Sequence, residues 1–189
     1  MPLRSCAKIC AGQVVLTEME NLSYPIGNFD LTHFADRDNN LRTIAELPAK
    51  VTEAIAGLDE AQLDTEYRPG GWTVRQTVHH IADSHSNSLT RFKLALTEDT
   101  PPTIRPYYEE RWAELADSKL QIDISLKMID AIHMRWSALL ESMSEDDFRR
   151  GFVHPETGNW PLENALALYA WHSKHHTAHI THLRERMGW

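Results

Sequence analysis

The tightest constraint on what this chain can fold into is a cluster of histidines near its C-terminus. The chain has 11 histidines, and His172, His175, His176, His179 and His182 all fall between Tyr169 and Leu183. That stretch reads as a helix. On a helix, side chains three or four residues apart lie over one another on the same face. Two imidazoles at i and i+4 can therefore reach one metal ion. His172/His176 and His175/His179 both have that spacing. Stepped at the helical period, Leu162, Ala165, Leu166, Tyr169, Ile180, Leu183 and Met187 form a stripe centred about 50° from His172. His176 lies inside the stripe and His172 on its near edge. His179 is slightly further out, and His175 and His182 fall on the flank. His172 and His176 are thus expected to point into the protein, where an unpaired polar ring is costly. Two readings follow: buried histidines satisfied by hydrogen bonds, or an inward pair that holds a metal.

The remaining composition narrows the function. A chain of 189 residues, 42% of them hydrophobic, can bury the core of one globular domain. Its net charge of −8 argues against nucleic acid or an anionic membrane surface as the main partner, since both reward clustered Lys and Arg. No apolar run approaches the roughly 20 residues needed to cross a bilayer. Ile9 to Leu16 is too short for a signal peptide and is interrupted by Gly12 and Gln13. Cys6 and Cys10, the only cysteines, read as two free thiols. They imply no disulfide framework, so a reducing cytoplasm fits. Residues 1–18 lack an amphipathic pattern and are expected to be a poorly ordered extension, with Met19 as the natural start and the domain at 19–189.

Four long helical patterns follow. The first runs from about Leu31 to Leu58, with Asp30 as N-cap and a kink or break expected at Pro48. Asp59 to Glu66 reads as a helix stop and turn. Tyr67 to Trp72 forms a loop, and Thr73 with Gln76 fits a capping box for a helix reaching Thr97. That second helix carries an apolar stripe of Val74, Val78, Ile81, Leu89, Phe92 and Leu96, with His85 among them. Beside it runs a polar stripe of Thr77, His80, Ser84, Asn87 and Arg91. His79 points away from both and is expected in solvent. Tyr107 to Ala116 suits a short helix, and Ser125 to Met143 a third long one. Ser144 caps a further turn. Gly151 to Trp160 is a loop or short hairpin, and the last helix ends at Met187 before Gly188. Four amphipathic helices with loops between them argue for an all-α four-helix bundle.

The run from Pro69-Gly70-Gly71-Trp72-Thr73-Val74-Arg75-Gln76 through His79-His80-Ile81-Ala82-Asp83-Ser84-His85 closely resembles the YfiT group of the DinB-like superfamily. So do Leu22-Ser23-Tyr24-Pro25-Ile26-Gly27, Arg91-Phe92-Lys93-Leu94, Leu162-Glu163-Asn164-Ala165-Leu166 and Trp171-His172-Ser173-Lys174-His175-His176-Thr177-Ala178-His179-Ile180-Thr181. The resemblance covers about Met19 to Trp189. It implies an up-down-down-up bundle with one divalent metal per subunit, zinc or alternatively nickel, held by three histidines. Carried over residue by residue, these are His80, His172 and His176. Periodicity alone does not single out His80, because His85 lies nearer the apolar stripe. Similar proteins form homodimers and are described as metal-dependent hydrolases, with the substrate left open.

Three neutral imidazoles on a divalent ion leave a positive centre with an open position. Water held there loses its proton near neutral pH, and a thiol held there would become thiolate. A hydrolase acting on a small molecule is therefore the leading expectation. A thiol S-transferase of the bacillithiol, mycothiol or glutathione kind is the alternative, and a non-catalytic metal-tied bundle is a third. Asp83, one turn after His80, is the candidate orienter or base. Arg91, on the His80 stripe, is the candidate for binding an anionic part of the substrate. Trp72 is expected to pack as an anchor at the loop.

Overall fold

A computed structural model describes residues 22–189. The expected extension 1–18, Met19, Cys6 and Cys10 lie outside the described residues. Four long helices dominate: α1 (Arg37–Ile55), α2 (Val74–Thr97), α3 (Asp123–Glu141) and α4 (Leu162–Met187). α1 and α2 each pack against both α3 and α4, so α1 lies diagonal to α2 and α3 diagonal to α4. Side-chain contacts fix the directions. Arg37 pairs with Glu163, and Arg184 donates to the Ala54 carbonyl at 2.8 Å, so α1 and α4 run parallel. His79 meets Ser125 near the start of α2 and α3, and Phe92 meets Trp136 towards their ends, so these two also run parallel. His80 meets His172, which sets α2 against α4, and His133 meets Ile44, which sets α3 against α1. The order is up-down-down-up.

The local chemistry explains most boundaries. The first helix, expected from Leu31, starts instead at Arg37. Two aspartates six residues apart begin two elements: Asp30 caps a 3₁₀ turn at Leu31–Phe34, and Asp36 caps α1 by accepting from the Asn39 amide at 3.1 Å. Pro48 neither ends nor splits α1, which passes through it. Proline has no N–H to give the carbonyl four residues back, and the Ile44 carbonyl accepts from His133 Nδ1 at 2.6 Å instead. The capping box of α2 forms as expected, with the Gln76 amide on Thr73 Oγ1 at 3.1 Å and the Thr73 amide on Gln76 Oε1 at 3.0 Å. At the other end of α2, Arg150 donates to the carbonyls of Ala95 (2.8 Å) and Glu98 (2.7 Å). A cation there satisfies orphan carbonyls and complements the helix dipole.

The connections hold short elements. The turn expected at Asp59 to Glu66 contains a one-turn helix, Glu60–Leu63, with its own capping box on Asp59. The helix expected over Tyr107 to Ala116 is a single turn, Glu109–Trp112. Ser144 caps Glu145–Arg149. β1 (Gly151–His154) and β2 (Gly158–Pro161) form an antiparallel hairpin. Only glycine fits at 151, since a Cβ there would lie 2.3 Å from the Trp160 carbonyl oxygen. Gly188, at φ 72°, ends α4 in the left-handed conformation.

The apolar core comes in two parts. One gathers Ile44, Leu89, Phe92, Trp136, Leu140 and Leu166 around the C-terminal half of α2. The other gathers Leu47, Val51, Val78, Ile81, Ile129 and Ile180 around its N-terminal half. Buried histidines lie in the same bundle interior: His80, His85 and His133 from α2 and α3, and His176 from α4.

Thr73→Ala should lower stability by about 1 kcal/mol, because the Gln76 amide loses its acceptor. Urea denaturation of the two proteins measures this, and an unchanged midpoint would contradict it.

Candidate metal centre

α2 brings one ring and α4 brings two. His80 lies on the face of α2 towards α4, and His172 and His176 sit one turn apart on α4. Their ring centroids are 4.3 to 5.2 Å apart. One nitrogen from each lies within 4.8 Å of the other two. His80 Nε2 and His172 Nε2 are 3.1 Å apart. A tetrahedral ion with metal–nitrogen bonds of about 2.0–2.1 Å separates its ligands by about 3.3 Å. The pair thus has the spacing of two ligands sharing one cation.

The donors suit that role electronically as well. Burial lowers the His80 pKa to about 4 and holds His172 and His176 well below the ordinary value, and neighbouring histidines add to it. Neutral imidazoles present lone pairs, which is the form that binds metal. The Trp72 ring packs against two of the trio, 4.5 Å from the His80 ring and 6.1 Å from that of His176. On the other side a cleft of about 900 Å³ reaches His172 and His176.

A second group, His175, His176 and His179, also has metal-compatible spacing. It shares His176, and a neutral imidazole has one lone pair to give. His176 therefore serves one centre at a time. Both groups reach a cleft, and the first draws on two helices. The second comes from one helix turn, where His179 Nε2 donates to the Ser23 carbonyl at 3.2 Å. His175, expected on the flank, is buried, because its ring is covered by Trp171 (4.3 Å) and Tyr24 (5.9 Å). His182 is exposed, as its phase implies.

The other expected residues divide. His85, the alternative to His80, is fully buried and sits outside the trio, with Nε2 3.1 Å from His172 Nδ1 and Nδ1 2.9 Å from His133 Nε2. His79 is not in solvent. It is 7% exposed, with Nδ1 2.7 Å from Ser125 Oγ and Nε2 3.1 Å from the Leu120 carbonyl. Asp83 shares the His79 face, one turn on, and does not line the cleft. Burial and Asp117 raise its carboxyl to about 6. Arg91 does line the cleft, together with Arg105. His133, which the α3 pattern of apolar residues passes over, is the functional candidate that sequence reasoning misses. The available signal is Pro48, whose missing N–H implies a donor for Ile44 from a neighbouring helix.

Known proteins resemble the chain over most of its length. The family model for the DinB superfamily matches residues 43–180. A protein of Bacillus cereus (strain B4264) named “Putative metal-dependent hydrolase” is 55% identical over 174 residues, which is 90% of this chain and all of that one. The solved structure of YfiT from Bacillus subtilis, described as “a probable metal-dependent hydrolase with an unusual four-helix bundle topology”, matches with a TM-score of 0.83 and 51% identity. It spans 89% of this chain and 99% of that one. A mycothiol-dependent maleylpyruvate isomerase shares the fold at a TM-score of 0.58 and 16% identity, over 74% of this chain and 60% of that one.

Two outcomes test the assignment. His172→Ala should abolish stoichiometric metal binding after dialysis, measured by elemental analysis, while His79→Ala should leave the stoichiometry unchanged. The buried rings also set an acid limit on the metal-free protein. Their folded pKa values, about 4 for His80, His133 and His175 and about 3 for His179, lie below the unfolded value of 6.5. Between those limits the unfolded chain binds more protons, so stability falls as pH drops from 6.5 towards 4. Urea midpoints at pH 7, 5.5 and 4.5 should descend in that order, and a flat series would contradict the burial of these rings as neutral species.

Proposed function

The chain belongs to the DinB superfamily, and from that premise we propose that it is a metal-dependent hydrolase acting on a small, anionic molecule. The observation that carries this is the convergence of His80, His172 and His176 at the end of an accessible cleft. A fold needing the metal only as a tie would have no use for such an opening. We propose zinc as the ion, with nickel as the alternative, since imidazole donors suit both.

The ion, when bound, supplies Lewis acidity. The chain's own residues do the rest. Trp72 packs against the His80 and His176 rings and limits their movement. Arg91 and Arg105 on the cleft wall attract and orient a carboxylate or phosphate of the substrate. Asp83 takes no part, because it faces Asp117 and not the cleft.

A second reading, thiol S-transferase, draws on the same arginines. A cleft with two arginines on its wall leading to three neutral rings suits a thiolate as well as it suits the water of a hydrolase. The shared fold of a mycothiol-dependent enzyme supports keeping it.

Metal-loaded protein should cleave members of an ester and amide panel, and the activity should vanish with His172→Ala. Conjugation of bacillithiol, mycothiol or glutathione to a chloroaromatic or epoxide, with no hydrolysis, would replace the first reading by the second. Arg91→Ala should raise KM for anionic substrates about tenfold with a smaller change in kcat, since a cleft-wall arginine contributes binding shared by ground and transition states.

A further inference from the structure

Four contacts run in line across the bundle. The Ile44 carbonyl oxygen lies 2.6 Å from His133 Nδ1. His133 Nε2 lies 2.9 Å from His85 Nδ1, and His85 Nε2 lies 3.1 Å from His172 Nδ1. His172 Nε2 then lies 3.1 Å from His80 Nε2, in the metal trio. All four helices contribute: α1 gives the carbonyl, and α3, α2 and α4 give the rings. We propose that His133 and His85 are positioning residues, which hold His172 in the tautomer that leaves its Nε2 lone pair free for the metal. The inference rests on His172 being a ligand.

The polarity of the line is fixed at its far end. A carbonyl oxygen can only accept, so His133 Nδ1 carries the proton. A neutral ring with a protonated Nδ1 has a bare Nε2, which must accept from His85 Nδ1. His85 Nε2 is then bare in turn and accepts from His172 Nδ1. His172 is left with its lone pair on Nε2. The reverse polarity would set a His133 lone pair against the Ile44 carbonyl at 2.6 Å, two acceptors with no proton between them. A positive ring in the line is disfavoured as well. His85 is wholly buried and His133 is 1% exposed, and among the described residues no carboxylate is hydrogen-bonded to either.

The Ile44 carbonyl can anchor the line because of Pro48. In an uninterrupted helix the amide of residue 48 would donate to Ile44, but proline has none. A helix-breaking residue at 48 thus sets a proton position four links away. Ligating histidines generally have their second nitrogen held by a carboxylate, a carbonyl or water. Here a carbonyl does this through two intervening imidazoles.

The test reads tautomers directly in metal-free protein labelled with ¹⁵N-histidine, using long-range ¹H–¹⁵N correlation spectra. Wild-type His133, His85 and His172 should all carry the proton on Nδ1. In His133→Leu, His172 should become a mixture of tautomers, although the substituted side chain does not touch it. Affinity for Zn²⁺ or Co²⁺ in a chelator competition should fall about 10- to 100-fold in that variant and in His85→Phe. A purely structural role for His133 would lower stability and leave the His172 tautomer alone. Finding the proton on Nε2 of His172 in wild-type protein would overturn the proposal, as would an unchanged tautomer and affinity in folded His133→Leu. The wild-type spectrum decides the matter if neither variant folds. Metal binding that survives His172→Ala would defeat the ligand assignment instead, and the tautomer measurement distinguishes that failure from this one.

Discussion

A buried imidazole is most stable with both of its nitrogens partnered, and in this bundle the line from Ile44 through His133 and His85 to His172 meets that demand ring by ring. His80, His85, His133 and His176 are buried beside the two apolar clusters on α2, and the half-buried His172 joins them. Leaving one buried polar atom unpaired costs about 1–3 kcal/mol, against a net stability of about 5–15 kcal/mol for a whole domain. The rings cannot be placed independently. Each helix must arrive at the depth and rotation that lets the next ring complete its bond. The diagonal arrangement makes this possible, because α2 touches both α3 and α4 and can pass a contact from one to the other.

The helices themselves are legible in sequence because their signals are local. The Thr73–Gln76 box, the Ser144 cap and Gly188 act within a turn, and apolar residues recur at helical spacing along each segment. The inward pair His172/His176 is legible for the same reason, being two positions on one helix. What escapes is what depends on a neighbouring element. His79 looks solvent-facing on its own wheel, but α3 and the Leu120 segment pack over it, and Ser125 and the Leu120 carbonyl satisfy it. His175 looks like a flank residue until Trp171 and Tyr24 cover it. Asp83 follows His80 closely in sequence, yet three residues turn a helix by about 300°, and the carboxyl ends up on the His79 side. The choice of His80 over His85 also needs the tertiary structure. Both face the interior, but His80 meets the lone pair of His172 while His85 meets its proton.

His133 shows why this limit is physical and not a matter of method. Alone among the apolar residues of its helix face it looks like an exception, and a wheel diagram gives no reason for it. Its partner is a backbone carbonyl on another helix, exposed to it by a proline on that helix. Sequence shows the proline and the histidine 85 positions apart, with nothing to connect them. Only when α1 and α3 lie antiparallel do the missing amide and the surplus donor meet.

Aliphatic side chains at positions 80, 85, 133, 172 and 176 would join the two apolar clusters without any of these demands, and a core filled that way packs well. Departures of this kind from simple core chemistry concentrate at functional sites. The Nε2 atoms of His80 and His172 illustrate the point, held 3.1 Å apart at the spacing of two ligands on one cation. An ion that binds the folded chain there and not the unfolded one also stabilises the fold, so metal affinity and folding stability are coupled. His172 is where the two demands coincide: one nitrogen is committed to the internal line that starts at Ile44, the other to the ion. Moving either commitment shifts the other, which makes this ring the joint between the architecture of the bundle and its chemistry.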